Sequence, residues 1–198
     1  MPKHVLGPRN HTNPLIWCAA IICAILSVIV IVAGIVVFLG YLIIKPKVPQ
    51  ISVTSAQLDT LYFDQTSLLT VQVTILIRAE NDNSKARASF YDTSFALSFR
   101  GQRIAYLVAE PFGVSANNTV EFNYVSQSTP IPLNPEDAEA VSLSLRRNVI
   151  DFELKGTTRT RWRVGLIGSV KFWLHLHCQL MLPVDSTRIF PGCSSRSK

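Results

Sequence analysis

From Leu15 to Ile44 the chain carries no charged side chain, and Ser27 is its only strongly polar group. About 20 apolar residues cross the hydrocarbon core of a bilayer, so this run can span one with tilt or with an end among the headgroups. A soluble helix would show a polar face. A cleaved signal peptide has an apolar region of only about 7–15 residues and ends at a small-residue site. No Ala-x-Ala precedes Lys45. The expectation is an uncleaved transmembrane signal anchor over residues 15–44, in contact with the lipid bilayer. Residues 1–14 form a tail too short to fold, and residues 45–198 have the length of one ordinary domain.

Beyond the span the pattern changes to period two, the signature of strands. Leu69, Val71, Val73, Ile75 and Ile77 alternate with Thr70, Gln72, Thr74 and Arg78. Phe95, Leu97 and Phe99, then Arg100-Gly101-Gln102, then Ile104, Tyr106 and Val108 predict a hairpin with a glycine turn. Val120, Phe122 and Tyr124 mark another strand, and Ile51 and Val53 begin a weaker one. Asn134-Pro135-Glu136-Asp137 predicts a helix start, with an N-cap, a proline at the first position and acids in the first turn. That helix should reach about Leu145, where Arg146 and Arg147 suit a C-terminus.

The last hairpin is the most legible. Phe152, Leu154, Thr158, Thr160, Trp162 and Val164 share one face; Asp151, Glu153, Lys155, Thr157, Arg159, Arg161 and Arg163 share the other. After Gly165 to Gly168 the return strand turns Val170, Phe172, Leu174, Leu176, Cys178, Leu180 and Leu182 inward. Lys171, Trp173, His175, His177 and Gln179 then face outward. About seven strands and one short helix predict a mainly-β domain, an antiparallel β-sandwich with one wet face.

Charge does not orient the span. Lys3 and Arg9, with His4 and His11, precede it and Lys45 and Lys47 follow it, so the positive-inside rule ties. Two features favour a cytosolic N-terminus. Asn117-Asn118-Thr119 is an N-glycosylation sequon in a loop of the folded domain, and Cys178 and Cys193 could pair on an oxidising side. Asn10-His11-Thr12 also matches the sequon but would lie unused in the cytosol. Cys18 and Cys23 fall in the cytoplasmic half of the span, open to palmitoylation or simply packed as apolar residues.

The net charge of +6 is uneven. From Val141 onward ten Lys and Arg face three Asp and Glu, whereas Lys45 to Ala140 holds seven against ten. Arg159, Arg161, Arg163, Lys171, Trp173, His175 and His177 could form one basic-aromatic surface. It would suit an acidic protein, an anionic cell-wall polymer or anionic lipid headgroups. Basic residues blunting a sheet edge are the plain alternative. An extracytoplasmic position leaves nucleic acid out. His175-x-His177 points two imidazoles the same way, yet the neighbouring residues are basic and a metal is not expected. The chain has no Gly-x-Ser-x-Gly elbow, no phosphate-cradling glycine loop and no Cys-x-x-Cys. No catalytic activity and no cofactor are expected.

Several short motifs occur in a telling order. The apolar span is followed by Asn81-Asp82-Asn83, Phe90-Tyr91-Asp92, Phe99-Arg100-Gly101 and Glu110-Pro111-Phe112. Then come Asn117-Asn118-Thr119, Arg161-Trp162-Arg163-Val164-Gly165 and Cys178. In that order they resemble the plant harpin-induced-like (NHL) proteins, which carry a late-embryogenesis-abundant group 2 (LEA-2) domain. The usual Asn-Pro-Asn of that family reads Asn81-Asp82-Asn83 here, so both asparagines remain and the proline-fixed turn does not. The resemblance implies a type II plasma-membrane protein with a fibronectin III-like sandwich outside. It also implies a Cys178–Cys193 disulfide and roles in defence and water stress without known catalysis. A lipid-binding or membrane-tethering module is the alternative function.

Overall fold

The computed structural model describes residues 14–44, 47–164 and 168–197. Residues 1–13, 45–46, 165–167 and 198 lie outside the described residues, as do the side chains of residues 14, 41–44 and 164. The chain divides into two compact units, Met1–Lys45 and Pro46–Lys198.

In the first unit, α1 runs Pro14–Ile44. Its length is about 46 Å at 1.5 Å per residue. Every residue from Leu15 to Leu39 is exposed. Leu15–Gly40 is long and apolar enough to cross a membrane. The Ser27 hydroxyl donates to the Cys23 carbonyl at 2.8 Å, which satisfies it within the helix.

The second unit contains β1 (Gln50–Phe63), β2 (Leu68–Asn81), β3 (Ala86–Phe99), β4 (Gln102–Ala109) and β5 (Phe112–Val114). It continues with β6 (Asn118–Gln127), β7 (Ile131–Pro132), α2 (Pro135–Arg147), β8 (Val149–Val164), β9 (Gly168–Pro183) and β10 (Arg196–Ser197). Seven of these strands have eight or more residues; β5, β7 and β10 are two- or three-residue pairings. One sheet has the order β1-β2-β6 with β7 beside β2; the other is β10-β9-β8-β3-β4 with β5 beside β3. All pairings are antiparallel. The seven long strands thus form a three-stranded and a four-stranded layer, the fibronectin III-like arrangement. The inward faces, among them Val71, Val73, Ile75, Phe90, Leu154 and Leu174, make one core.

The alternation read from the sequence survives in β2, β8 and most of β9. It fails in two places. Register steps between Leu97 and Ser98, leaving Ile104 without a partner, so Ala105, Leu107 and Ala109 turn inward while Tyr106 and Val108 are exposed. A bulge flips every side chain beyond it. Val170, expected inside, is 54% exposed where β9 begins. The turn between β3 and β4 places both Arg100 (φ 46°) and Gly101 (φ 85°) in the left-handed region, as two-residue hairpins require.

Helix α2 starts as expected: the Asn134 side chain accepts from the Asp137 N–H at 2.7 Å. It extends past Leu145 to Arg147 and stops at Asn148, whose left-handed backbone (φ 57°) forms the C-cap.

Two local devices close the sandwich. Asn81, fully buried, donates its side-chain amide to the carbonyls of Ala86 (2.8 Å), Val114 (3.2 Å) and Ser115 (3.1 Å). Its Oδ1 accepts from the side chain (2.9 Å) and backbone (3.3 Å) of Asn83. Asn83 in turn donates to the Lys47 carbonyl and accepts the Lys47 N–H at 2.8 Å. The second device is the chain after β9. Val53 N–H donates to the Cys193 carbonyl (3.0 Å), Ala56 and Ile189 exchange bonds (3.0 and 2.8 Å), and Ser195 N–H donates to the Ile51 carbonyl (2.7 Å). This strap joins β1 to β9 across the open side of the two layers, and a Cys178–Cys193 disulfide with a Cα–Cα distance of 5.6 Å fastens it.

Gly156 in β8 lies under the Phe95 ring. A Cβ there would stand 2.3 Å from Phe95 Cδ1, and Phe95 is itself buried. Gly156→Ala is expected to lower the unfolding free energy by about 2 kcal/mol, read from urea denaturation. A loss below the precision of that measurement would mean that Phe95 can move freely.

Candidate functional site

The site rests on β8, which has β3 on one side and β9 on the other. It is an interior strand, so Arg159, Arg161 and Arg163 do not serve to blunt an edge. Across β9, Arg159 stands opposite Trp173, Arg161 opposite Lys171, Thr157 opposite His175 and Lys155 opposite His177. Across β3, Arg159 stands opposite Tyr91, Arg161 opposite Ser89 and Arg163 opposite Arg87. Period-two geometry puts all of these on the solvent face.

Chemistry changes along this face. At one end Glu153 accepts from the Lys155 ammonium at 2.7 Å and lies 3.5 Å from His177 Nδ1. The Lys155 hydrogen bond, with a smaller contribution from His177, holds the Glu153 carboxyl below its ordinary range. His175 faces Thr157 and Arg196, beside a hollow of about 520 Å³ bounded by His177 and Pro191 to Ser194. Among the described residues no three His, Cys, Asp or Glu side chains gather as metal ligands.

In the middle, the Arg159 guanidinium lies 5.7 Å from the Tyr91 ring centre and 5.5 Å from that of Trp173. It is also 3.7 Å from Asp92. Trp173 stays 41% exposed, so the ladder Tyr91–Arg159–Trp173 offers a flat aromatic and cationic surface.

At the far end the balance is broken. Arg87, Ser89, Arg161 and Arg163 line a cleft of about 180 Å³. Among the described residues none of Arg87, Arg161, Arg163 and Lys171 has a carboxylate within 4.0 Å. Like charges stand directly opposite in two pairs, Arg87 with Arg163 and Arg161 with Lys171, an arrangement that weakens a sheet.

The sequence therefore located the β8–β9 half of the surface and missed the β3 half: Arg87, Ser89 and Tyr91. Their outward alternation against Ala86, Ala88 and Phe90 was visible, but nothing local says that β3 pairs with β8. The surface also divides into a neutralised end, an aromatic middle and an unneutralised basic end, where the sequence suggested one uniform patch. Elsewhere, Asn117 occupies an exposed turn at φ 48°, its N–H bonded to the Asn83 carbonyl at 3.0 Å. Cys18 and Cys23 are exposed free thiols on α1.

The late embryogenesis abundant protein family LEA_2 matches residues 76–179, from mid-β2 to β9. This chain belongs to the LEA_2 family. It is 25% identical over 166 residues to NDR1/HIN1-like protein 12 of Arabidopsis thaliana, covering 83% of this chain and 79% of that protein. It is 24% identical over 163 residues to NDR1/HIN1-like protein 26 of the same plant, covering 81% and 76%. Both of these relatives of the LEA_2 chain are NDR1/HIN1-like proteins. Two solved structures align at a TM-score of 0.31. One is a protein from Archaeoglobus fulgidus, 8% identical, covering 66% of this chain and 97% of its own. The other is an Arabidopsis thaliana protein solved in solution, 10% identical, covering 67% and 84%. The LEA_2 match contains Asn81, Asn83 and the whole Arg87–Arg163 surface.

Proposed function

We propose that this chain is a non-enzymatic, membrane-anchored interaction protein acting in plant defence and abiotic stress at the plasma membrane. Its N-terminus is cytosolic and its sandwich extracellular, and the outer face of the β3–β8–β9 layer receives an anionic partner. The observation that carries this reading is that face: a guanidinium between two aromatic rings, next to cations that have no carboxylate partner among the described residues, on a domain that follows an apolar helix. The disulfide supports an oxidising compartment, and the exposed Asn117 sequon suits one.

Topology is tested in plant cells. The wild-type protein should shift on glycosidase treatment, Asn117→Gln should not, and external protease should digest the domain in intact cells. A domain protected from that protease is on the wrong side for this proposal. Binding is tested with full-length protein in nanodiscs and polygalacturonate, an acidic cell-wall polymer. Arg159→Ala combined with Trp173→Ala should weaken it by about tenfold, roughly 1.4 kcal/mol, and high salt should weaken it further. Equal binding by the wild type and the double variant would remove the aromatic-cationic ladder from the site.

A further inference from the structure

We infer that the unneutralised end of the sandwich docks in cis, on the membrane that the chain's own helix spans. There Arg87, Arg161, Arg163 and Lys171 take the phosphodiester oxygens of lipid headgroups. This rests on reading residues 15–44 as a membrane span and the outer sheet face as anion-binding, and it names the partner of one end of that face.

The described part of the sandwich starts at Lys47. Asn83 holds both backbone groups of Lys47, and the Lys47 ammonium lies 3.2 Å from Asp82. The Asn81–Asn83 corner is joined to the first residue of β3 by the bond from Asn81 to the Ala86 carbonyl. Ala86 opposite Val164 and Arg87 opposite Arg163 are the last two rungs between β3 and β8. Val164 opposite Gly168 is the last rung between β8 and β9, with Lys171 three residues further along β9. Lys47 and the four unneutralised cations therefore occupy the same end of the sandwich.

Three residues of chain advance lead from Ile44, the last residue of α1, to Lys47. Fully extended they reach about 11 Å, comparable to the Debye length of about 8 Å at physiological salt. The start of the sandwich therefore follows the apolar helix within a short length of chain.

The groups suit phosphate. Arginine offers a planar fork of donors that matches phosphate oxygens, and it is less strongly hydrated than an ammonium. Gly113 leaves room for the Arg87 fork: a Cβ there would lie 3.0 Å from Nη2 and 3.1 Å from Nε. The like-charge pairs Arg87–Arg163 and Arg161–Lys171 become favourable once anions sit between them. Val170, the apolar residue left exposed at the same end, would face the boundary beneath the headgroups.

The test uses full-length protein reconstituted in phosphatidylcholine–phosphatidylglycerol vesicles, with Cys18 and Cys23 changed to serine. A fluorophore is attached at Ser169→Cys, near the basic end, or at Met181→Cys, at the opposite end of β9. Nitroxide-headgroup lipid is placed either in the host vesicles or in separate protein-free vesicles. Host nitroxide should quench the label at position 169 roughly threefold more than the label at position 181, because the basic residues are attracted to the anionic surface. High salt should abolish the difference in the otherwise unchanged labelled protein, and so should Arg87→Ala, Arg161→Ala and Arg163→Ala together. Equal quenching of both labels would overturn the inference. So would quenching only from the separate vesicles, which would place the contact in trans while leaving the anion-binding face intact. Retained polygalacturonate binding with no quenching from either vesicle would likewise sink lipid docking alone.

Discussion

Asn81→Ala is expected to lower the unfolding free energy of the sandwich by about 3 kcal/mol, the largest effect of any single side chain described here. The residue is fully buried and its amide donates to the carbonyls of Ala86, where β3 starts, and of Val114 and Ser115, where β5 ends. Alanine takes that donor from the buried bonds to Ala86 and Val114, and the desolvation of each unsatisfied buried group costs about 1–3 kcal/mol. It also frees Asn83, whose orientation depends on Asn81 Oδ1. Asn81→Asp keeps the shape but exchanges the donor for a charge, and should be no better tolerated. Urea denaturation of residues 46–198 measures the loss, and faster amide exchange at Lys47 should accompany it. A change under about 1 kcal/mol, the worth of one ordinary hydrogen bond, would show that the corner is held by other contacts.

The disulfide ranks next. Closing a loop of this length removes chain entropy from the unfolded state worth about 3 kcal/mol, and Cys178 and Cys193 are separated by 15 residues. Cys193→Ala should destabilise by about that amount, and reducing agent should do the same to the wild type and nothing to the variant. The damage should be local first. Amides at Val53, Ile189 and Ser195, which bond the strap to β1, should exchange faster well before the core does. Unchanged exchange at these three positions after reduction would mean that the backbone bonds alone hold the strap.

How far the chain announced these features depends on how local each one is. The span, the N-cap at Asn134 and the inward series of β2 and β8 are written in consecutive residues, and each was legible. The β3–β4 bulge was not, because Ile104, Tyr106 and Val108 continue an apolar alternation that only the partner strand can break. Arg87 escaped for a related reason. It lies 76 positions from Arg163, and its place in the site follows from strand order alone. The asparagines of the Asn81-Asp82-Asn83 corner were visible as a motif, but their task required three carbonyls and Lys47 to be brought to them.

The strap has a mechanical consequence. Strand β1 is bonded to β2 along one side and, through the strap, to the C-terminal segment along the other. Its first residues are those nearest the helix in the chain. A force applied along the axis of β1 would meet hydrogen bonds on both of its sides. Hydrogen bonds perpendicular to a strand then share the load in shear instead of unzipping one at a time. Reducing the disulfide would loosen one of the two sides, so its redox state would set how much force β1 bears before the sandwich opens.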